Sequence, residues 1–399
     1  MNTNIKLSKK KIGILTIVLA ALSALSPFSI DTYAPAMPTM ALYFGSAISE
    51  IELSMTIYIM GYAIGQFFGG PLSDNFGRRP VVFIGLSIFI ISSFLLSICD
   101  SIAQLYTLRF IQALGGGFSI VVSMAITRDL FSGSDLAKRI SYISMFMMAA
   151  PLIAPAVGTI LIKIFSWKAI FTFLTLYSIL VITLISIFIP ETRKNNNKNK
   201  ENIFRKTASA YISVFTNSKA MSLILAAALG FAGMYTFITG SSNIYIEHFH
   251  MSLELFPILF GSNVILVIIM GAVNVQLLKH FEPQKILNVG LLIQLFAGLS
   301  LFLIMLNDNA PFILAFSLIV IFVGILGIIF GNANALVLQM YPNSSGATMA
   351  VIGVCEFSIA AITGLLLHYI QDGTILAYGI MMFACTSAAN IAYRLLRRI

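Results

Sequence analysis

Charge is scarce in this 399-residue chain: Asp, Glu, Lys and Arg make up 10% of it, and apolar residues 58%. A soluble protein carries about a quarter charged residues and covers its surface with them. A soluble globular domain is therefore excluded, and the chain's solvent is mostly lipid. Cysteine is also scarce. Cys99, Cys355 and Cys385 are an odd, scattered set inside apolar runs, which argues against a disulfide framework or a metal cluster. There is no Gly-Lys-Ser phosphate-binding run. His248, His250, His280 and His368 stand in loops or at helix ends without metal-ligand spacing. Neither an enzyme nor a resident cofactor or metal is expected, and ATP is not the expected energy source.

Long apolar runs fill most of the chain. Twelve are long enough for the ~30 Å hydrocarbon core, which about twenty helical residues cross. They cover 12–42, 51–71, 80–98, 103–127, 140–163, 167–189, 220–246, 253–277, 285–306, 311–338, 346–369 and 374–394. The first is too long for a secretory signal and lacks a small-residue cleavage site, so it counts as the first span. The fold class expected is an all-α integral membrane protein of twelve transmembrane helices.

The net charge of +9 suggests nucleic acid only until the basic residues are placed. With twelve spans and the amino terminus inside, Lys163 and Lys168 fall in outer loops and Arg109 inside a span. The remaining Lys and Arg, from Lys6 to Arg398, fall on the inner side. This asymmetry predicts both termini in the cytoplasm of a bacterial inner membrane and leaves no role for nucleic acid. Trp167 falls at the outer interface, where an indole normally anchors.

Between spans six and seven the text changes to a polar, basic, low-complexity run, ETRKNNNKNKENIFRK at 191–206. It predicts an N-terminal six-helix bundle over 1–190, a linker over 191–218 and a C-terminal bundle over 219–399. The halves align weakly. FGRRPVVFIGL at 76–86 falls on FEPQKILNVGL at 281–291, an offset of 205, about half the chain. Six spans, a linker and six more describe transporters that rock two similar bundles around a central site.

The loop after span two, GPLSDNFGRRPV at 70–81, resembles the signature of the major facilitator superfamily in Gly70, Leu72, Ser73, Asp74, Gly77, Arg78, Arg79 and Val81. Asn75 departs from it. SIDTYAPAMP (29–38), LRFIQALGGG (108–117), APLIAPAVGT (150–159), SWKAIF (166–171) and FITGSSNIYI (237–246) together resemble the Bcr/CflA drug/proton antiporters. That resemblance implies a proton-coupled exporter of small amphipathic molecules. A dedicated exporter of one metabolite or siderophore, and a non-transporting sensor or scaffold, are the alternatives. It also implies a helix 5 antiporter motif at Pro151, Pro155 and Gly158, with Thr159 replacing a second glycine. Asp74 would be a latch meeting the amino-terminal end of helix 11 across the two halves.

An ionisable side chain in a bilayer needs a reason, since it costs at least about 2.5–3.5 kcal/mol at the centre. Three stand out: Asp31 in span one, ahead of a kink expected from Pro35 and Pro38, Arg109 in span four, and Glu356 in span eleven. Asp31 and Arg109 reach similar depths, which makes an ion pair plausible: a proton-coupling element, or a static salt bridge. Glu356 reads as a second protonation site, a counter-ion for cationic substrates, or a protonated stand-in for Gln. Gln112, Asn243, Asn263, Asn332 and Asn334 are intramembrane amides for helix packing or substrate contact. Tyr33, Met145, Met148, Met234, Tyr235 and Phe237 would suit a pliable aromatic pocket. The expected partners are a small-molecule substrate, the bilayer and protons, and the protein is expected to be a monomer.

Overall fold

The computed structural model describes residues 9–192, 209, 211–307, 309–341 and 345–396. Most of the basic linker therefore lies outside the described residues, and so do Lys6, Arg397 and Arg398. The described residues are helical, with no strand among them.

The first half holds α1 (Lys9–Asp31), α2 (Met37–Phe44), α3 (Ile48–Phe76), α4 (Arg78–Ser97), α5 (Ile102–Leu130), α6 (Gly133–Ile164) and α7 (Lys168–Phe188). The second holds α8 (Ser218–Ser242), α9 (Phe256–Leu277), α10 (Pro283–Met305), α11 (Phe312–Gly324), α12 (Leu326–Met340), α13 (Ser345–Ile370) and α14 (Leu376–Leu396). Two spans are broken. Span one is α1 and α2, joined by a short turn over Ala34–Ala36, and span ten is α11 and α12, divided at Ile325. Span seven ends in a π-helical turn, Asn243–His248.

Eleven of the twelve spans are long and apolar enough to cross a membrane by composition. The twelfth, α3, has 29 residues, a length of about 43 Å. It carries Glu50 and Glu52 near one end and Asp74 near the other, and holds its place by packing along α5. That contact is close: a Cβ on Gly61 would sit 2.6 Å from the carbonyl of Phe110. The two halves meet along two seams, α3 with α13 and α6 with α9.

The internal repeat is visible in the helix starts, since α4 and α10 begin 205 residues apart, at Arg78 and Pro283. Residues 9 and 396 share one face of the molecule, here the terminal face; the opposite one is the far face. The polar links described between the halves lie toward the far face. Tyr235 Oη donates to the carbonyl of Met55 at 3.0 Å, Ser242 Oγ to the carbonyl of Ala34, Tyr378 Oη to Glu52 at 2.6 Å and Lys163 Nζ to Glu254 at 2.6 Å. These links hold the two halves together toward the far face.

Trp167 lies at the far-face start of α7 and is 5% exposed, with its ring 5.2 Å from Tyr43, 5.5 Å from Phe44 and 6.1 Å from Phe171. It ties α2 to the start of α7, because burying an aromatic ring among others gains more than leaving it half in headgroups.

Candidate functional site

The site is built on the break in span one. Pro35 has no N–H to give a helix, and its ring disfavours helical geometry at Ala34, so α1 stops at Asp31 and the chain restarts at Met37. Helix α6 fills the notch. A Cβ on Gly158 would collide with the carbonyl oxygen of Thr32, so only glycine lets α6 lie against the unwound residues after Asp31. Pro151 and Pro155 lie inside α6.

Arg109, on α5, is fully buried. Its guanidinium lies between two rings, 4.6 Å from the centroid of Tyr33 and 4.1 Å from that of Tyr58. Its Nη1 donates to Ser29 Oγ at 3.0 Å and to Gln112 Oε1 at 2.8 Å, and Gln112 Nε2 donates to Ser93 Oγ at 2.8 Å. Tyr33 is held by Ser54 at 2.7 Å, and Tyr58 donates to Ser26 at 3.2 Å. Nε and Nη2 of Arg109 have no hydrogen-bond partner.

The expected ion pair is not formed. Asp31 is 4% exposed, and among the described residues no hydrogen bond or ion pair reaches its carboxyl. The reason is rotational. Successive helical residues turn by about 100°, so when Ser29 faces Arg109, Asp31 two residues on points away, while Tyr33 beyond the break returns to the guanidinium. Asp31 is nevertheless near Arg109, with Tyr58 and Tyr235 within electrostatic reach of both.

The other candidates separate. Tyr33, Gln112 and Tyr235 join Asp31 and Arg109 at the centre. Phe237 packs instead within the second half, 5.8 Å from the Tyr245 ring and 5.9 Å from that of Phe260. Asn332 donates to Asn274 Oδ1 at 2.6 Å, a link between α12 and α9, and Asn263 bonds its own helix. Met145 and Met148, on α6, are exposed. Glu356 is half-buried on α13, and no hydrogen bond or ion pair is described for it. The three cysteines are buried and free, and no cluster able to hold a metal occurs among the described residues.

Asn243 belongs to a different cluster at the far face, centred on Tyr378. Asn243 Nδ2 donates to Tyr378 Oη at 2.8 Å, Gln371 Nε2 donates to the same oxygen, and Tyr378 donates to Glu52 Oε1. Glu52 is 2% exposed, a buried charged residue that is not among the three singled out in the sequence. It escaped notice because it lies one residue inside a span read as 51–71, where a carboxylate passes for headgroup-level. Its only sequence signal is the Glu50/Glu52 spacing, which turns one of the two inward.

At the terminal face the 70–81 loop forms a compact cluster. Gly77 has φ +105°, open to glycine, and gives the Glu191 carboxylate room to accept from the backbone N–H groups of Arg78 and Arg79, each at 3.0 Å. Glu191 thus caps the start of α4, where the helix dipole favours an anion. Arg78 pairs with Asp74 and, at 3.0 Å, with Asp129. Gly70 sits beside Val121. Arg79 reaches the carbonyl of Ser186. Asp74 is thus engaged within its own half, and residues 342–344 next to its expected partner, the start of helix 11, lie outside the described residues.

A twelve-helix protein of two bundles, with a broken first span and buried charges at their junction, has the architecture of a membrane transporter. The family model described as Major Facilitator Superfamily matches residues 19–365, and the chain belongs to that superfamily, in its Bcr/CflA branch. The bicyclomycin resistance protein homolog of Haemophilus influenzae is 30% identical over 387 residues, covering 96% of each chain. Multidrug resistance protein MdtL of Vibrio parahaemolyticus is 23% identical over 341 residues, covering 86% of this chain and 85% of the relative. Among solved structures, a D-xylose-proton symporter superposes with a TM-score of 0.76 at 14% identity, covering 95% of this chain and 97% of its own. A bacterial homolog of the human lysosomal transporter Spinster, inward-facing, superposes with a TM-score of 0.70 at 16% identity, covering 98% and 94%. At such identities these two show the fold alone.

Proposed function

We propose that this chain exports small amphipathic molecules, drugs among them, in exchange for protons by alternating access. The distribution of Lys and Arg supports placing the terminal face in the cytoplasm and the far face outside. The observation that carries the reading is Asp31: a buried carboxyl without a partner, at a helix break, near a cation that has two N–H groups to spare. A carboxyl that alternates between water and a closed pocket takes up and gives up a proton as its surroundings change. Arg109 stays in place through its rings and Ser29, offering Nε and Nη2 to an acceptor on the substrate. The electrical part of a proton gradient supplies about 2.3 kcal/mol per charge per 100 mV, roughly a 50-fold accumulation. The relatives' names make drugs the first compounds to try. Adding a transported drug to unbuffered, detergent-solubilised protein is expected to release protons; silence across many drug classes overturns the exporter and favours a scaffold.

Glu356 has no cation beside it, and we assign it to cationic substrates as a counter-ion. Glu356→Gln is then expected to lose about fivefold in transport of cationic drugs, the ~1 kcal/mol that one weak ion pair supplies, while neutral drugs are exported as before. Uptake into everted vesicles, compared between the two classes, checks this. An equal loss in both classes refutes the counter-ion role.

A further inference from the structure

The Glu52 cluster belongs to neither the central pocket nor the signature loop, yet it is a polar junction between the two halves at the far face. Asn243 at the end of α8 and Gln371 in the loop after α13 meet at Tyr378, at the start of α14, and Tyr378 alone of the three bonds Glu52 of the first half. Asn243 and Gln371 both donate to the Tyr378 oxygen, which leaves the Tyr378 hydrogen to point at Glu52 Oε1. Glu52 Oε2 is buried with no partner.

Helices α3 and α13 run antiparallel, with Gly353 against Gln66, Phe357 against Tyr62 and Gly364 against Thr56. The same register places His368, half-buried, one turn further toward the far face, and no contact between it and Glu52 is described.

Other charged or titratable groups around this mouth are engaged or lie further off. Glu50, on the same helix, is bonded by Tyr106 of α5 at 2.8 Å. Arg109, also on α5, is taken by Ser29 and Gln112. Glu247 and His248 follow Asn243 in the π turn, and Tyr369 beside His368 is exposed. The exposed Lys163–Glu254 pair bridges the halves nearby, but the Lys163 ammonium holds the Glu254 carboxyl down at about 2, so it does not titrate near neutrality.

We propose that Glu52 is the positioning residue that closes the outer mouth, acting through Tyr378, and that one proton taken up at its carboxyl sets the balance between closed and open. With the mouth open, the Glu52 side chain faces outside water. Closing buries it, and a carboxylate buried without a cation is strongly disfavoured. One proton brings the carboxyl from charge −1 to zero. The proton is taken from the outside on closing and returned there on opening, so the clasp tunes the cycle without adding to the protons carried through.

The inference rests on the alternating-access reading, but its test needs no transport. Spin labels at Ala47 and Asn309, exposed positions in far-face loops of the two halves, report the width of the mouth in detergent, where the native cysteines are buried. In the native chain the closed-to-open ratio is expected to rise as pH falls from 8 to 5.5, by up to about tenfold per pH unit for one proton taken up. Asp31→Asn keeps this slope. Glu52→Gln, which retains an acceptor for Tyr378, stays closed with the slope lost. Tyr378→Phe keeps the slope but raises the open share about fivefold at every pH, the worth of one hydrogen bond. A slope that survives Glu52→Gln, or that vanishes in Asp31→Asn, overturns the proposal, as does a Tyr378→Phe mouth of native width.

Discussion

Asp31→Asn is expected to abolish proton-driven export while leaving the protein folded and inserted. The two side chains have nearly the same shape, and the native carboxyl makes no hydrogen bond or ion pair that the amide would lose. The change in stability should therefore be about 1 kcal/mol or less. What disappears is the ability to bind and release a proton in the pocket. Everted vesicles with an imposed proton gradient should accumulate drug with the native chain and stay at the background of empty vesicles with the variant. Exchange of labelled for unlabelled drug, which needs no gradient, should persist. Gradient-driven accumulation at the native rate by Asp31→Asn would remove Asp31 from the coupling mechanism.

The second large effect is expected at Arg109, where even lysine should fail. A guanidinium is a flat cation that stacks between two rings and still donates sideways, whereas an ammonium is a compact, strongly hydrated point charge. Lysine would weaken two ring contacts, worth about 0.5–2 kcal/mol each, and at least one bond from a charged donor, worth about 1.5–3 kcal/mol. These losses sum to at least about 2 kcal/mol, so Arg109→Lys should unfold at a lower temperature in detergent and export little. Tyr58→Phe is the control. It keeps the ring under the guanidinium and gives up only the bond to Ser26, a loss of about 1 kcal/mol. Native melting together with native transport in Arg109→Lys would show that the sandwich holds nothing essential.

The two variants test different things because the two charges are not joined. A salt bridge would make either substitution leave an uncompensated buried charge, and the two would fail alike. In this arrangement Arg109 is a fixed part of the wall, whereas Asp31 is free to change its protonation state. The comparison of Asp31→Asn with Arg109→Lys therefore separates coupling from architecture.

The repeat of apolar runs, the crowding of basic residues on one side and the loop at 70–81 make the transporter fold legible from the chain alone. Lipid admits few structures, and each span must satisfy its own backbone. The break after Asp31 is equally local, since Pro35 and Pro38 act on their own neighbours whatever packs around them. Asp31, Arg109 and Glu356 are conspicuous for the same reason, as charges deep inside spans that otherwise carry charge only near their ends.

Tertiary structure alone decided which groups meet. Whether Arg109 faces Asp31 or Ser29 depends on the rotation of α1 against α5, and a turn of two residues, about 200°, changes the answer with little change in depth. Whether Glu52 lies in headgroups or in a sealed junction depends on Tyr378, 326 residues away, and on the register of α3 against α13. Composition and period determine how many helices cross and in what order, because lipid acts on each helix separately. Partnerships between side chains arise only when helices are set against one another, because a hydrogen bond is made within about 3 Å and no single helix specifies that distance.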